Sequence, residues 1–215
     1  MLFIVRYNSV INSIMSNKLS KDNLDRTFSL LADRLELMGA KVVRLVVCGG
    51  SALIATGLRQ RTTNDADIVA LMNDAGQLVS PDPLPTFLMD AAARVAHDLG
   101  LNENWLNNGP SRDDGGLFQM GLPEGFAGRL SRQDFNPYLT VYFISRLDQI
   151  HFKLYAAADQ RDQTHMADLL ALHPTNNELE MAARWTMTHD VSEGFRFVLR
   201  ELLREMNYAS VADNI

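Results

Sequence analysis

Two groups of residues in this chain have the types and spacing that phosphate chemistry requires: Gly49-Gly50-Ser51 and, after thirteen intervening residues, Asp65-Ala66-Asp67. Paired glycines let backbone amides approach a phosphate closely, because no Cβ stands in the way. Where the chain then enters a helix, its first N–H groups and its dipole further favour an anion, and the Ser51 hydroxyl offers one more contact. In a strand, residues two apart face the same side, so the Asp65 and Asp67 carboxylates are expected together, with Ala66 and Ile68 facing away. Such an oxygen pair suits a hard cation. Mg²⁺ takes oxygen ligands at about 2.0–2.1 Å and keeps waters and substrate phosphates in its shell, so two carboxylates suffice. Neighbouring carboxylates repel each other, and a bound divalent ion relieves that repulsion, so metal and nucleotide are expected to bind cooperatively. Arg59 and Arg61, between the two groups, are candidates to grip phosphates through their planar forks.

These residues need a frame. Val42 to Cys48 is a β-branched run too short for a helix and reads as a buried strand. The glycines break it, Ala52 to Leu58 reads as a short helix ending near Gly57, and Asp65 to Leu71 resumes strand character. The order is therefore strand, glycine turn, helix, strand. Upstream, Leu24, Phe28, Leu31, Leu35 and Met38 recur at helical spacing from a start near Ser20, and Gly39 stands where that helix would stop. Leu84 to Leu99 carries a second helical stripe. Positions 101–133 hold six glycines and two prolines among 33, which predicts a long irregular insertion. Tyr138 to Ser145 reads as a third strand. Beyond it the period is helical through Leu147, Ile150, Leu154, Tyr155 and Ala158, then Met166, Leu169, Leu170 and Leu172, ending at Pro174. Thr175 to Glu178 has capping-box form, and Phe195, Val198, Leu199, Leu202 and Leu203 mark the last helix. The expected fold is α/β, a short mixed sheet with flanking helices over 1–145, the insertion included, followed by a helical region over 146–215.

With these residues in view, the chain resembles the nucleotidyltransferase superfamily typified by DNA polymerase beta, whose signature is a strand, Gly-Gly or Gly-Ser, about a dozen residues and Asp-x-Asp. Within it, Gly49-Gly50-Ser51-Ala52-Leu53, Gly57, Arg59, Thr62, Thr63 and Asp65-x-Asp67 look most like the abortive-infection AbiEii-type toxins and related bacterial proteins. Those proteins carry a lysine early in a helix after the third strand and an aspartate about fifteen residues on, and Lys153 and Asp168 are similar in placement. The resemblance covers roughly residues 40–172. It implies a minimal nucleotidyltransferase fold, Mg²⁺ or Mn²⁺ as cofactor, an NTP as substrate, an RNA end as acceptor, and a cognate antitoxin as partner. It also implies that Lys153 neutralises charge on the triphosphate while Asp168 positions that lysine or accepts a proton. One departure stands out: Leu139 to Ser145 has no acid where many members place a third carboxylate, and Asp134 and Asp148 only flank that stretch. The alternative is a catalytically decayed nucleotide-binding or protein-interaction module on the same scaffold.

Composition agrees with a folded protein of this kind. Apolar residues make up 47% of 215 positions, enough for a core, and the net charge of −6 argues against unselective nucleic-acid binding. A single cysteine, Cys48, excludes an intramolecular disulfide and suits a cytoplasmic location. The five histidines show no zinc-binding pattern, and Trp105 reads as a loop anchor. No run reaches the roughly 18–20 apolar residues that span a bilayer, so no membrane partner is expected. Met1 to Ile14 is weakly apolar but carries an arginine and lacks a small-residue cleavage site, so no signal peptide is expected. Met15 is an alternative start, because the helical pattern becomes convincing only after Leu19.

Overall fold

The computed structural model of the chain describes residues 18–215, so Met1 to Ile14 and the alternative start Met15 lie outside the described residues. The protein is mixed α/β and divides into two compact units. The first runs through Gln119 and takes in Leu130–Phe143, while the second comprises Met120–Arg129 and Ile144–Ile215.

In the first unit, α1 (Leu24–Leu37) buries the stripe Leu24, Phe28, Leu31 and Leu35, and Gly39 ends the turn at φ +57°. Next come β1 (Val43–Cys48), α2 (Gly49–Ala55), β2 (Ala66–Met72), β3 (Leu78–Val79), α3 (Thr86–Leu99) and β4 (Leu106–Asn107). A one-turn helix α4 (Leu117–Met120) precedes β5 (Ser131–Asn136) and β6 (Leu139–Phe143). The strands form one mixed sheet in the order β3-β2-β1-β6-β5, with β4 also paired to β2. β1 runs antiparallel to β2 and parallel to β6. The ring of Phe28 meets those of Trp105, Phe135 and Phe143, tying α1 to the sheet and to the loop ahead of β4.

Two elements differ from expectation. The helix after β1 begins at Gly49 itself, whose φ of +69° turns the chain straight out of the strand. Strand β5 occupies the end of what reads as irregular sequence, and Asp134 sits within it, opposite Thr140. Ser131-Arg132-Gln133-Asp134-Phe135-Asn136 is a polar edge strand, so it shows none of the alternation that marks a half-buried one.

The second unit is helical. α5 (Arg146–Gln160) packs on α6 (Gln163–Ala171), α7 (Asn176–His189) and α8 (Glu193–Glu205), and α9 (Ala209–Asn214) packs on α7 and α8. Phe126, Phe152 and Trp185 stack in series, and the Trp185 indole N–H donates to the Gly121 carbonyl. The capping box at Thr175 and Glu178 is complete. Arg146 extends it by donating to the carbonyls of Leu172 and His173 and to both carboxylate oxygens of Glu178.

Arg146 is the main reason that Glu178 has its carboxyl lowered to about 2, with the Thr175 donors adding to it. A carboxyl depressed by folding stabilises above its unfolded pKa and loses that contribution as pH falls through the folded value. Thermal stability is therefore expected to drop between about pH 4.5 and pH 2, and Glu178→Gln to flatten that part of the melting-temperature profile.

Candidate functional site

The glycine turn and the acid pair meet in the first unit, and strand register is what brings them together. β1 and β2 pair Val46 with Ala70 but Val47 with Ile68, a bulge that leaves Val69 without an opposite residue and sets Cys48 across from Asp67. Ser111 Oγ donates to the carbonyl of that bulged Val69 at 2.8 Å. Gly49 follows Cys48 directly, so the Asp67 side chain lies against the turn. A Cβ on Gly49 would stand 2.5 Å from Asp67 Oδ2. A Cβ on Gly50 would stand 2.7 Å from Thr63 Oγ1, and that hydroxyl donates to Asp65 Oδ1 at 3.1 Å. Both glycines are thus required by side chains of the acid-bearing segment; Asp67 reaches the bend directly and Asp65 is linked to it through Thr63.

Three anchors hold this arrangement. Leu19, fully buried, exchanges two backbone hydrogen bonds with Thr63, at 2.7 and 2.9 Å, and so pins the residue that touches both Gly50 and Asp65. Asn107, on β4, donates from Nδ2 to Asp67 Oδ1 at 3.2 Å, while its Oδ1 accepts from the Gly109 amide at 2.7 Å. Trp105 accepts from the Ala66 amide through its carbonyl and donates from its indole to the Ala92 carbonyl, so it fixes β4 beside β2. Asn107 carries no signal in the sequence beyond its place two residues after Trp105. Its role follows only from the parallel pairing of Asp67 with Asn107.

Asp65 and Asp67 are both half-buried, Asp65 just ahead of β2 and Asp67 within it. Among the described residues no group of three or more His, Cys, Asp or Glu is placed to hold a metal ion. A cation here would be held by the two carboxylates, with waters and phosphates completing its shell. That fits Mg²⁺, since both carboxylates are hard oxygen donors at partly exposed positions. The phosphate-facing residues are less open than expected: Gly50 and Ser51 are buried, and Ser51 Oγ donates to the Cys48 carbonyl at 3.3 Å. Gly49 is the half-buried member of the three, and Arg59 and Arg61 are half-buried after α2. Asp134 accepts from Thr140 Oγ1 at 2.6 Å and from Arg132, and these bonds, Thr140's first, hold its carboxyl below the usual range.

Lys153 and Asp168 come together in the second unit. Lys153 Nζ lies 2.9 Å from Asp168 Oδ2 and 3.3 Å from His165 Nδ1, with side-chain exposures of 7% for the lysine and 0% for the aspartate. The same unit buries Asp148, which takes two hydrogen bonds from Arg129 and one from Ser145. Each of these carboxylates has a cation because an uncompensated buried charge would cost several kcal/mol.

Alanine at Gly49 is expected to cost more stability than alanine at Gly39, a left-handed residue whose Cβ would meet nothing within 4 Å. The Gly39 change should cost about 1–2 kcal/mol for backbone conformation alone. Denaturant melts of both variants isolate the contact with Asp67 as the excess. Lys153→Met is expected to lose about 3–5 kcal/mol, and adding Asp168→Leu should recover much of it. No protein-family model, curated protein or solved structure matches this chain.

Proposed function

We propose that the protein is a nucleotidyltransferase that uses Mg²⁺ or Mn²⁺ to move a nucleoside monophosphate from an NTP to a hydroxyl acceptor. The observation that carries this reading is the contact between Asp67 and the Gly49 backbone, with Thr63 linking Asp65 to Gly50. The glycine turn and the acid-bearing segment meet at one bend. Asp65 and Asp67 would hold the cation, which supplies positive charge against the NTP phosphates. Asn107 keeps Asp67 oriented by donating to Oδ1. Arg59 and Arg61 are the candidate cations for the rest of the triphosphate. Lys153 and Asp168 enter this reading as a structural ion pair, since the lysine's charge is spent on a fully buried carboxylate. The resemblance of the motif to AbiEii-type proteins supports an RNA end as acceptor, a cytoplasmic toxin or defence role, and an antitoxin partner.

A non-catalytic nucleotide-binding or interaction module is the second reading, and a specific observation favours it. Leu139–Phe143 carries no acid, and Asp134 on the neighbouring strand is engaged by Thr140 and Arg132.

Incubation of the protein with α-labelled NTPs, Mg²⁺ and total RNA or small hydroxyl compounds separates the two. Transfer is expected in the wild type and should fall by at least about 100-fold in Asp65→Ala and Asp67→Ala, the scale of losing a charge-stabilising group. NTP binding with no transfer to any acceptor would establish the module instead. Asn107→Ala is expected to weaken Mn²⁺ binding, read by electron paramagnetic resonance, by about 10- to 100-fold.

A further inference from the structure

The helical second unit has a cleft of its own, ≈ 300 Å³, formed by the Met120–Arg129 segment, α5 and α7. None of its lining residues belongs to the acid-bearing site of the first unit. We infer that this cleft binds a free α-amino acid with an apolar side chain, its ammonium group received by His151 and Glu124 and its carboxylate by Arg184. The inference stands apart from the transferase reading.

His151 carries the argument. The residue is 4% exposed and lines the cleft. Its Nδ1 bonds to the Leu147 carbonyl at 2.8 Å, and a carbonyl can only accept, so the proton of the neutral ring sits on Nδ1 and Nε2 is an acceptor. Burial pushes the pKa of this histidine down, which keeps the ring neutral at pH 7. Among the described residues Nε2 meets no hydrogen-bond partner, and it is not sealed from solvent. A buried acceptor left open in a cleft calls for a donor on the ligand. Glu124 is the second acceptor. It is exposed, its carboxylate has no ion pair among the described residues, and its carbonyl accepts from Arg129 Nη1 at 2.7 Å, which fixes its backbone at the cleft.

The two arginines are not equivalent. Arg129 is committed to the buried carboxylate of Asp148 through two hydrogen bonds. Arg184 has only Glu180, one turn away on α7, and an exposed pair of that kind contributes little, so its guanidinium can turn to a ligand carboxylate. Two acceptors and one available guanidinium are the complement of a zwitterion. A simple anion would leave His151 Nε2 unmatched and be repelled by Glu124, while a simple amine would leave Arg184 without a partner. The rest of the wall is apolar: Pro123, Leu147, Met181 and Trp185. Burial of a hydrocarbon side chain against it is favourable, and methionine adapts to the shape presented. The volume stands at the lower end of the about 300–1,000 Å³ typical of small-molecule sites, which suits an amino acid better than a nucleotide.

The test titrates the full chain with L-leucine, L-methionine, L-phenylalanine and L-glutamate by calorimetry, then with the N-acetyl and amide derivatives of the tightest binder. At least one of the three apolar amino acids is expected to bind in the millimolar range or tighter. Removing its ammonium charge by acetylation, or its carboxylate charge by amidation, should weaken binding by about tenfold or more. Glu124→Gln and Arg184→Gln, both at exposed positions and expected to leave the melting temperature unchanged, should each weaken it by a similar factor. Binding of none of the three would overturn the inference. Equal binding of the acetyl or amide derivative would overturn the zwitterion as the ligand, and equal binding of glutamate would overturn the apolar side chain. Binding indifferent to either substitution would overturn the cleft as its site.

Discussion

Two missing Cβ atoms hold the candidate site together. At Gly49 and Gly50 the space that a side chain would fill is occupied by Asp67 Oδ2 and Thr63 Oγ1. The acid-bearing segment can therefore close onto the end of β1 only because the backbone there is bare. A side chain at either position would push Asp67 or Thr63 away, and Asp65 would lose its partner with Thr63. The positive φ of Gly49 adds a second requirement at the same point, since an L-residue adopts that conformation only with strain.

Residues remote in sequence enforce this closure. The bulge in the β1–β2 ladder sets which residue stands opposite Cys48, and Ser111 satisfies the carbonyl of the bulged residue. Trp105, fully buried, bonds to Ala66 and Ala92 and packs its ring on Phe28, so the core of the unit determines where β4 and Asn107 lie. Leu19 does the same for Thr63 from the other side. Apolar burial thus positions polar groups that are too few and too exposed to position themselves. The second unit solves a different problem. It buries the carboxylates of Asp148 and Asp168 and gives each a cation, an arrangement that contributes geometry more than net stability, because desolvation offsets most of the attraction.

The functional reading follows from what the bend offers: two carboxylates for a hard cation, linked to the glycine turn by Asp67 and Thr63. Beside Asp67 stands Asn107, a neutral donor that orients it. A two-carboxylate centre leaves more of the cation's shell to water and substrate, so substrate binding and metal binding are more tightly linked than in a fully caged site.

Much was legible in the sequence. Helical periodicity located α1, α3 and α5, β-branched runs located β1, β2 and β6, and Thr175–Glu178 announced its capping box, because each is a local pattern whose physics is contained within a few residues. The strand, glycine turn, helix, strand order was legible for the same reason. Strand β5 was not, since an exposed edge strand needs no apolar alternation, and neither was the burial of Lys153, whose surroundings come from a different helix. What the residues determined by themselves was the set of elements and the chemical types available at the turn. Which oxygen touches which glycine and that Asn107 flanks Asp67 were decided only by tertiary structure, because strand register and loop anchoring bring together groups such as Asp67 and Asn107, 40 residues apart, that no local pattern relates.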